Sequence, residues 1–263
     1  PEHCGDCDTQ CGRLNACSAG ACSPDPANIA GFVGCGTIEL QVANGTLYAL
    51  LSKSGELVSI PLPADGTVAI AASDLVGGTA FAIAAGYAYV ARATVVLRVN
   101  LATGEQTPLV AETSTIFDVA VANGKIYYAT AKYIKEADAF ASGLGSVVAT
   151  AVDEGEPQGV AVSGTKVLYA SNASFNVEVD AIVGDAHTKI GASQGSLVFG
   201  HRSVQADATH AYWANGSLQT ARITADPQPV DPVAVPIDGS PVLAFAVDAK
   251  ARMAYLATAD GSF

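Results

Sequence analysis

A short run of the form Tyr-x-Ala, or close to it, returns six times along this chain of 263 residues. The copies are Tyr48-Ala49-Leu50, Tyr89-Val90-Ala91, Tyr127-Tyr128-Ala129, Leu168-Tyr169-Ala170, Tyr212-Trp213-Ala214 and Tyr255-Leu256-Ala257. Their first members for the first five intervals lie 41, 38, 41, 44 and 43 residues apart, counted from positions 48, 89, 127, 168, 212 and 255. A recurrence of about 40 residues built from short strands marks a β-propeller, in which each repeat folds as one four-stranded blade. The chain is therefore predicted to be all-β, a six-bladed β-propeller.

The repeats also agree upstream of the anchor. Eight residues before it stands Leu40, Phe81, Val119, Val160 or Val204, and six before it Val42, Ile83, Val121, Val162 or Ala206. Apolar residues two apart give a strand with one buried face. Innermost strands are expected over 38–43, 81–85, 117–122, 159–163 and 204–208, and a sixth, offset copy over 243–248, with an insertion at Lys250-Ala251. Asn44-Gly45, Ala85-Gly86, Asn123-Gly124 and Ser163-Gly164 then supply tight hairpin turns. Repeat five reads Asp207-Ala208-Thr209 at this place, without Gly, and predicts a different turn. No stretch keeps helical spacing over a helical length, so the many Ala residues do not argue for helices.

Composition excludes some function classes. The formal charge is −12, the wrong sign for phosphate neutralisation, so no nucleic acid partner is expected, nor an anionic membrane surface. No run approaches the roughly 18 apolar residues of a membrane span. Solubility is the plain reading of the acidity.

The cysteines carry the second signal. Cys4, Cys7, Cys11, Cys17 and Cys22 crowd the N-terminus, and the sixth is Cys35. Six cysteines suggest three disulfides, with 15 connectivities open. The segment has almost no apolar residues and needs covalent staples to hold a shape, which implies an oxidising compartment. A zinc site competes, with one Cys-x2-Cys pair and His3 beside it. Asp8 follows that pair where haem attachment needs His. The expected organisation is a cysteine-rich disulfide module at 1–23, a linker with a closing strand at 24–37, and the propeller at 38–263. The repeats fall near 38–79, 80–115, 116–157, 158–202, 203–240 and 241–263, the last incomplete.

The stretch His3-Cys4-Gly5-Asp6-Cys7 through Cys11-Gly12 and Ala16-Cys17-Ser18-Ala19-Gly20-Ala21-Cys22 resembles a cysteine-rich leader of secreted and lipid-anchored myxobacterial proteins. Asp207-Ala208-Thr209-His210-Ala211-Tyr212-Trp213-Ala214-Asn215-Gly216 resembles the repeat of six-bladed propellers in the same bacteria, which are similar to the YWTD class. Only repeat five carries Tyr-Trp. The resemblance implies a secreted binding or scaffolding module and no particular ligand.

A secreted chain opening at Pro1, with neither Met nor a basic and apolar leader, is expected to have lost one, and a lipid anchor would lie upstream of Pro1. Blade six is expected to have two strands of its own. Residues 30–36, a continuation past Phe263 or a neighbouring subunit are the alternatives for completing it.

Catalytic signals are weak. Gly191-Ala192-Ser193-Gln194-Gly195 fits Gly-x-Ser-x-Gly but falls in an all-β repeat rather than on a strand-to-helix turn. His3, His187, His201 and His210 have no ligand spacing, and no calcium-loop pattern occurs. Glu39, Asp118, Asp207 and Asp248 are the acids placed to reach a central channel. Three Asn-x-Ser/Thr matches sit on expected turns. A binding face is expected where second-to-third-strand loops and blade-to-blade loops meet: Lys132, Tyr133, Glu154, Glu156, Phe175, His201 and Arg202, with Lys135, Glu136 and Asp153 nearby. The sequence thus predicts an extracellular or outer-surface module for protein interaction or self-assembly, with no enzymatic activity, cofactor or catalytic metal. The alternatives are a metal-dependent hydrolase resembling lactonases, or a lectin whose glycan binding depends on Tyr133 or Phe175.

Overall fold

The computed structural model describes residues 15–18, 21–24, 38–62, 67–150, 156–173, 176–183, 186–194, 204–215, 217–223, 233–235, 242–251 and 253–258. They form strands and turns throughout. Two N-terminal strands, β1 (Asn15–Ser18) and β2 (Ala21–Pro24), pair as an antiparallel hairpin.

Five four-stranded antiparallel meanders follow. The first is β3 (Ile38–Ala43), β4 (Thr46–Leu51), β5 (Glu56–Pro61) and β6 (Ala69–Ala72). The second is β7 (Gly78–Ala84), β8 (Tyr87–Arg92), β9 (Val95–Asn100) and β10 (Gln106–Ala111). The third is β11 (Ile116–Ala122), β12 (Lys125–Thr130), β13 (Tyr133–Asp138) and β14 (Ser146–Thr150). The fourth is β15 (Glu156–Ser163), β16 (Lys166–Ala173), β17 (Asn176–Val183) and β18 (Ala186–Gln194). The fifth is β19 (Val204–Ala206), β20 (His210–Ala214), β21 (Leu218–Arg222) and β22 (Val233–Val235). The last repeat gives only a two-stranded sheet, β23 (Val242–Asp248) and β24 (Met253–Thr258).

The propeller thus shows five four-stranded blades rather than the six expected. Among the described residues the sixth copy is a two-stranded sheet, packed between blade five and blade one. The closing strand expected over 30–36 lies outside the described residues, as do Cys4, Cys7, Cys11 and Cys35.

Local chemistry explains the blades. Asn44-Gly45 and Asn123-Gly124 take φ of 52° and 72°, and 53° and 74°, the paired left-handed geometry of a two-residue hairpin that Asn-Gly accepts at low cost. The inner strands β7, β11, β15 and β23 each carry a register irregularity close to their first residues. Such bulges sharpen the right-handed twist that lets blades fan around an axis.

Six apolar clusters fill the gaps between neighbouring sheets. One joins Leu40, Leu47 and Ile60 of blade one to Ala244, Ala246 and Ala257 of the two-stranded sheet. Another joins Ala214 and Leu218 of blade five to Val242 and Phe245. The short sheet is therefore packed on both faces. Ala49, Ala91, Ala129, Ala170, Ala214 and Ala257 of the recurring motif are all buried. They sit where blades pack face to face and a larger side chain would force the sheets apart.

Candidate functional site

An innermost strand has no strand beyond it to satisfy its inward backbone groups, and a buried unpaired N–H is costly. Polar side chains of the preceding blade solve this here. Glu39 Oε2 accepts from the Phe81 amide at 2.9 Å, and Gln41 Oε1 from the Ile83 amide at 2.7 Å. Asp118 Oδ2 accepts from the Val160 amide at 2.9 Å while its Oδ1 accepts from the Val119 amide at 2.7 Å. Gln205 Oε1 accepts from the Val247 amide at 3.1 Å. Each of these bonds between blades joins residues 42 positions apart. Gln205 also donates through Nε2 to the carbonyls of Phe245 and Leu40, at 2.6 and 3.2 Å. One side chain of blade five thereby holds both the two-stranded sheet and blade one, and closes the ring.

The channel acids are thus not gathered into one site. Glu39 and Asp118 are buried between blades, Asp207 caps a turn, and Asp248 Oδ1 accepts from the Ala251 amide. Among the described residues no three His, Cys, Asp or Glu side chains are placed to hold a metal ion. The axial cavity, about 150 Å³, is lined by small apolar residues such as Ala82, Ala120 and Val204, together with Gln41 and Gln205.

The larger clefts flank the two-stranded sheet. One, of about 770 Å³, opens against blade one beside Asn44, Leu62, Asp248, Lys250, Met253 and Tyr255. The other, of about 450 Å³, opens against blade five beside Asp207, Thr209, His210, Tyr212, Asp248 and Met253. Both lie at the end of the propeller where first and second strands turn into each other, opposite the face expected to bind.

The second cleft holds the densest polar cluster on this end. Asp207 Oδ1 accepts from the amides of Thr209 and His210, at 2.6 and 2.7 Å, and from the Thr209 hydroxyl at 2.9 Å. Its Oδ2 accepts from the Tyr212 hydroxyl at 2.8 Å. This Asx turn is why the hairpin manages without Gly. Thr209 Oγ1 lies 2.8 Å from His210 Nδ1. Partial burial pulls the Asp207 carboxyl upward, but the bonds from Thr209, Tyr212 and His210 outweigh it and hold the group below the usual carboxylate range. Burial, then the bond to Asp207 and its charge, push the Tyr212 hydroxyl up to about 12.

A group with a depressed folded pKa stabilises above its unfolded pKa, about 3.9 for Asp, and loses that contribution as pH falls through the folded value. The difference in thermal midpoint between the native protein and Asp207→Asn is expected to be widest near pH 7 and to close below about pH 4. A difference that persists unchanged into acid would show that the carboxylate charge is irrelevant to this turn.

Of the residues expected to bind, Lys132 lies in the exposed turn between β12 and β13, Tyr133 opens β13, and Glu156 opens β15 on the same end of the propeller. The Tyr133 ring lies 5.8 Å from Lys135 Nζ, which is ion-paired to Glu112 at 2.9 Å. Glu154, Phe175, His201 and Arg202 lie outside the described residues. Ser193 is no nucleophile elbow: it sits within the continuous outer strand β18, and its Oγ accepts from Trp213 Nε1 at 2.8 Å and from Asn215 Nδ2 at 2.9 Å. The Asp207–Thr209–His210 cluster was missed as a site by the sequence reading. Its signal was the glycine-free turn of repeat five.

No family model matches the chain, and no curated protein matches it. Solved structures do. A gluconolactonase from Xanthomonas campestris superposes with a TM-score of 0.64 at 14% identity, over 85% of this chain and 82% of its own. A calcium-binding regucalcin from Agrobacterium tumefaciens gives 0.59 at 14%, over 84% and 80%. A chain of a nidogen/laminin complex gives 0.56 at 8%, over 80% and 87%. At such identities the likeness is one of fold. It corrects the expectation that enzymatic activity is absent, because a propeller of this shape serves a gluconolactonase.

Proposed function

We propose that the chain is a protein-binding propeller of the cell exterior, and that its partner engages at the two-stranded sheet. The observation that carries this is the edge of β24. Every other inner hairpin is covered by a third and a fourth strand, whereas β24 is the outermost strand of its sheet among the described residues. Such an edge pairs with an extended segment of another chain through main-chain hydrogen bonds, and the clefts on either side offer seats for that segment's side chains. A second copy of this chain is the first partner to test. Placement at the outer surface, and kinship with YWTD-like propellers, belong to this proposal. A chain of the same fold in a nidogen/laminin complex supports it by likeness.

The test is the size of the native, unreduced protein by light scattering, beside a Met253→Lys/Ala254→Lys variant. Both residues are exposed on β24, and Lys on an open edge blocks strand addition without disturbing a core. Oligomers that become monomers in the variant are the expected result. Oligomers unchanged in the variant would remove β24 as the joint, and a monomer in both would remove self-assembly.

A second reading has its own observation. The Thr209 hydroxyl contacts both His210 Nδ1 and Asp207 Oδ1 at the mouth of a cleft, so a hydroxyl, an imidazole and a carboxylate meet where a small ester would fit. The gluconolactonase likeness points the same way. Hydrolysis of a lactone or aryl-ester panel, abolished by both Thr209→Val and His210→Ala, would favour it. Equal rates in the variants would set it aside.

A further inference from the structure

The register of β1 and β2 pairs Ser18 with Ala21, Cys17 with Cys22, Ala16 with Ser23 and Asn15 with Pro24. Two residues, Ala19 and Gly20, separate the strands in sequence. In a hairpin with a two-residue loop, the pair next to the loop exchanges hydrogen bonds and the following pair does not. Cys17 and Cys22 are that following pair. Directly opposed residues of this kind have Cα atoms about 4.5 Å apart, inside the roughly 4.4–6.8 Å that a disulfide spans.

We propose that Cys17 and Cys22 are oxidised to each other, as a cross-strand disulfide within the β1–β2 hairpin. The reaction needs a disulfide-bearing oxidant, either a small-molecule disulfide or an oxidase with a reactive Cys-Cys pair. One cysteine thiolate attacks a sulfur of the oxidant and displaces its other sulfur as thiolate. The second cysteine thiolate then attacks the mixed disulfide and displaces the remaining one. Two thiols lose two protons and two electrons, and the oxidant leaves as two thiols. An isolated two-stranded hairpin is marginal in water, and this one is poor in large apolar residues, so a covalent rung supplies what burial cannot. The assignment rests on register alone and stands apart from the function proposed above. It leaves Cys4, Cys7, Cys11 and Cys35, and reduces the connectivities from 15 to 3.

The sequence makes the test direct. Cleavage after Arg13 by trypsin and before Asp25 by an aspartate-directed protease releases residues 14–24, which hold Cys17 and Cys22 and no other cysteine. Protein from an oxidising compartment, alkylated without reduction, is expected to yield this peptide unalkylated and two hydrogens lighter than its reduced form. After reduction it takes two alkyl groups. Recovery of the peptide cross-linked to a fragment bearing Cys4, Cys7, Cys11 or Cys35 would overturn the proposal, as would double alkylation without reduction. Thiol titration gives a second readout. A Cys17→Ser/Cys22→Ser variant is expected to show no free thiol and Cys17→Ser alone to show one. Two free thiols in the double variant would mean that both cysteines had other partners.

Discussion

Replacing Trp213 by Ala is expected to cost about 3–5 kcal/mol of stability. Trp213 is the largest fully buried side chain described, with no accessible surface. It fills the gap between blades four and five against Leu168, Val177, Val179, Ile190 and Ala221. Its indole N–H donates to Ser193 Oγ, so truncation also takes a donor from the group that anchors Asn215. The ring has its space because Gly191 lies under it: a Cβ there would stand 2.9 Å from the ring edge. Gly191→Val is accordingly expected to destabilise by about 1–3 kcal/mol through overpacking. Guanidinium unfolding followed by circular dichroism measures both. A loss under about 1 kcal/mol for Trp213→Ala would mean that blade five collapses into the void, and that this interface is far more plastic than close packing allows.

Asp118→Ala is expected to cost roughly 2–5 kcal/mol, because it takes an acceptor from two buried amides at once. The carboxylate is fully buried, and its two oxygens receive the Val119 and Val160 amides, one in its own blade and one in the next. Asp118→Asn keeps one acceptor oxygen but turns an amide donor toward the other N–H, so it is expected to fall between the two. Denaturant midpoints decide the matter. An Ala variant as stable as the native protein would show that these inner-strand amides are satisfied some other way, and the same doubt would then extend to Glu39, Gln41 and Gln205.

The inner strands were readable because strand periodicity is local. Apolar residues two apart, then a turn, then Tyr-x-Ala, locate β3, β11 and β15 within a few residues of their observed starts. The same evidence carried the propeller fold but overstated the blade count, since a motif copy guarantees an inner hairpin and not the two strands beyond it. At the N-terminus, the reading from composition allowed for staples but gave no hairpin. Polar residues such as Asn15, Ser18 and Ser23 carry no alternation that would mark β1 and β2 as strands.

The candidate site was less legible. Its Asp207, Thr209 and His210 are neighbours in sequence, and the missing glycine marked their turn as unusual. Nothing local says that Asp248 and Met253 form the other wall. Glu39 and Asp118 were readable as acids at the inner strand, yet their role depended on which side of the strand they faced and on an amide 42 residues away.

The sequence by itself determined the repeat, the inner hairpins and the small residues between blades, because these follow from alternation, turn chemistry and side-chain size within each repeat. Only the tertiary structure decided that the inner acids and amides hold blade to blade, that Gln205 closes the ring, and that the clefts open beside the two-stranded sheet. Those outcomes depend on contacts between repeats, which form only when the whole ring is assembled and no single repeat encodes alone.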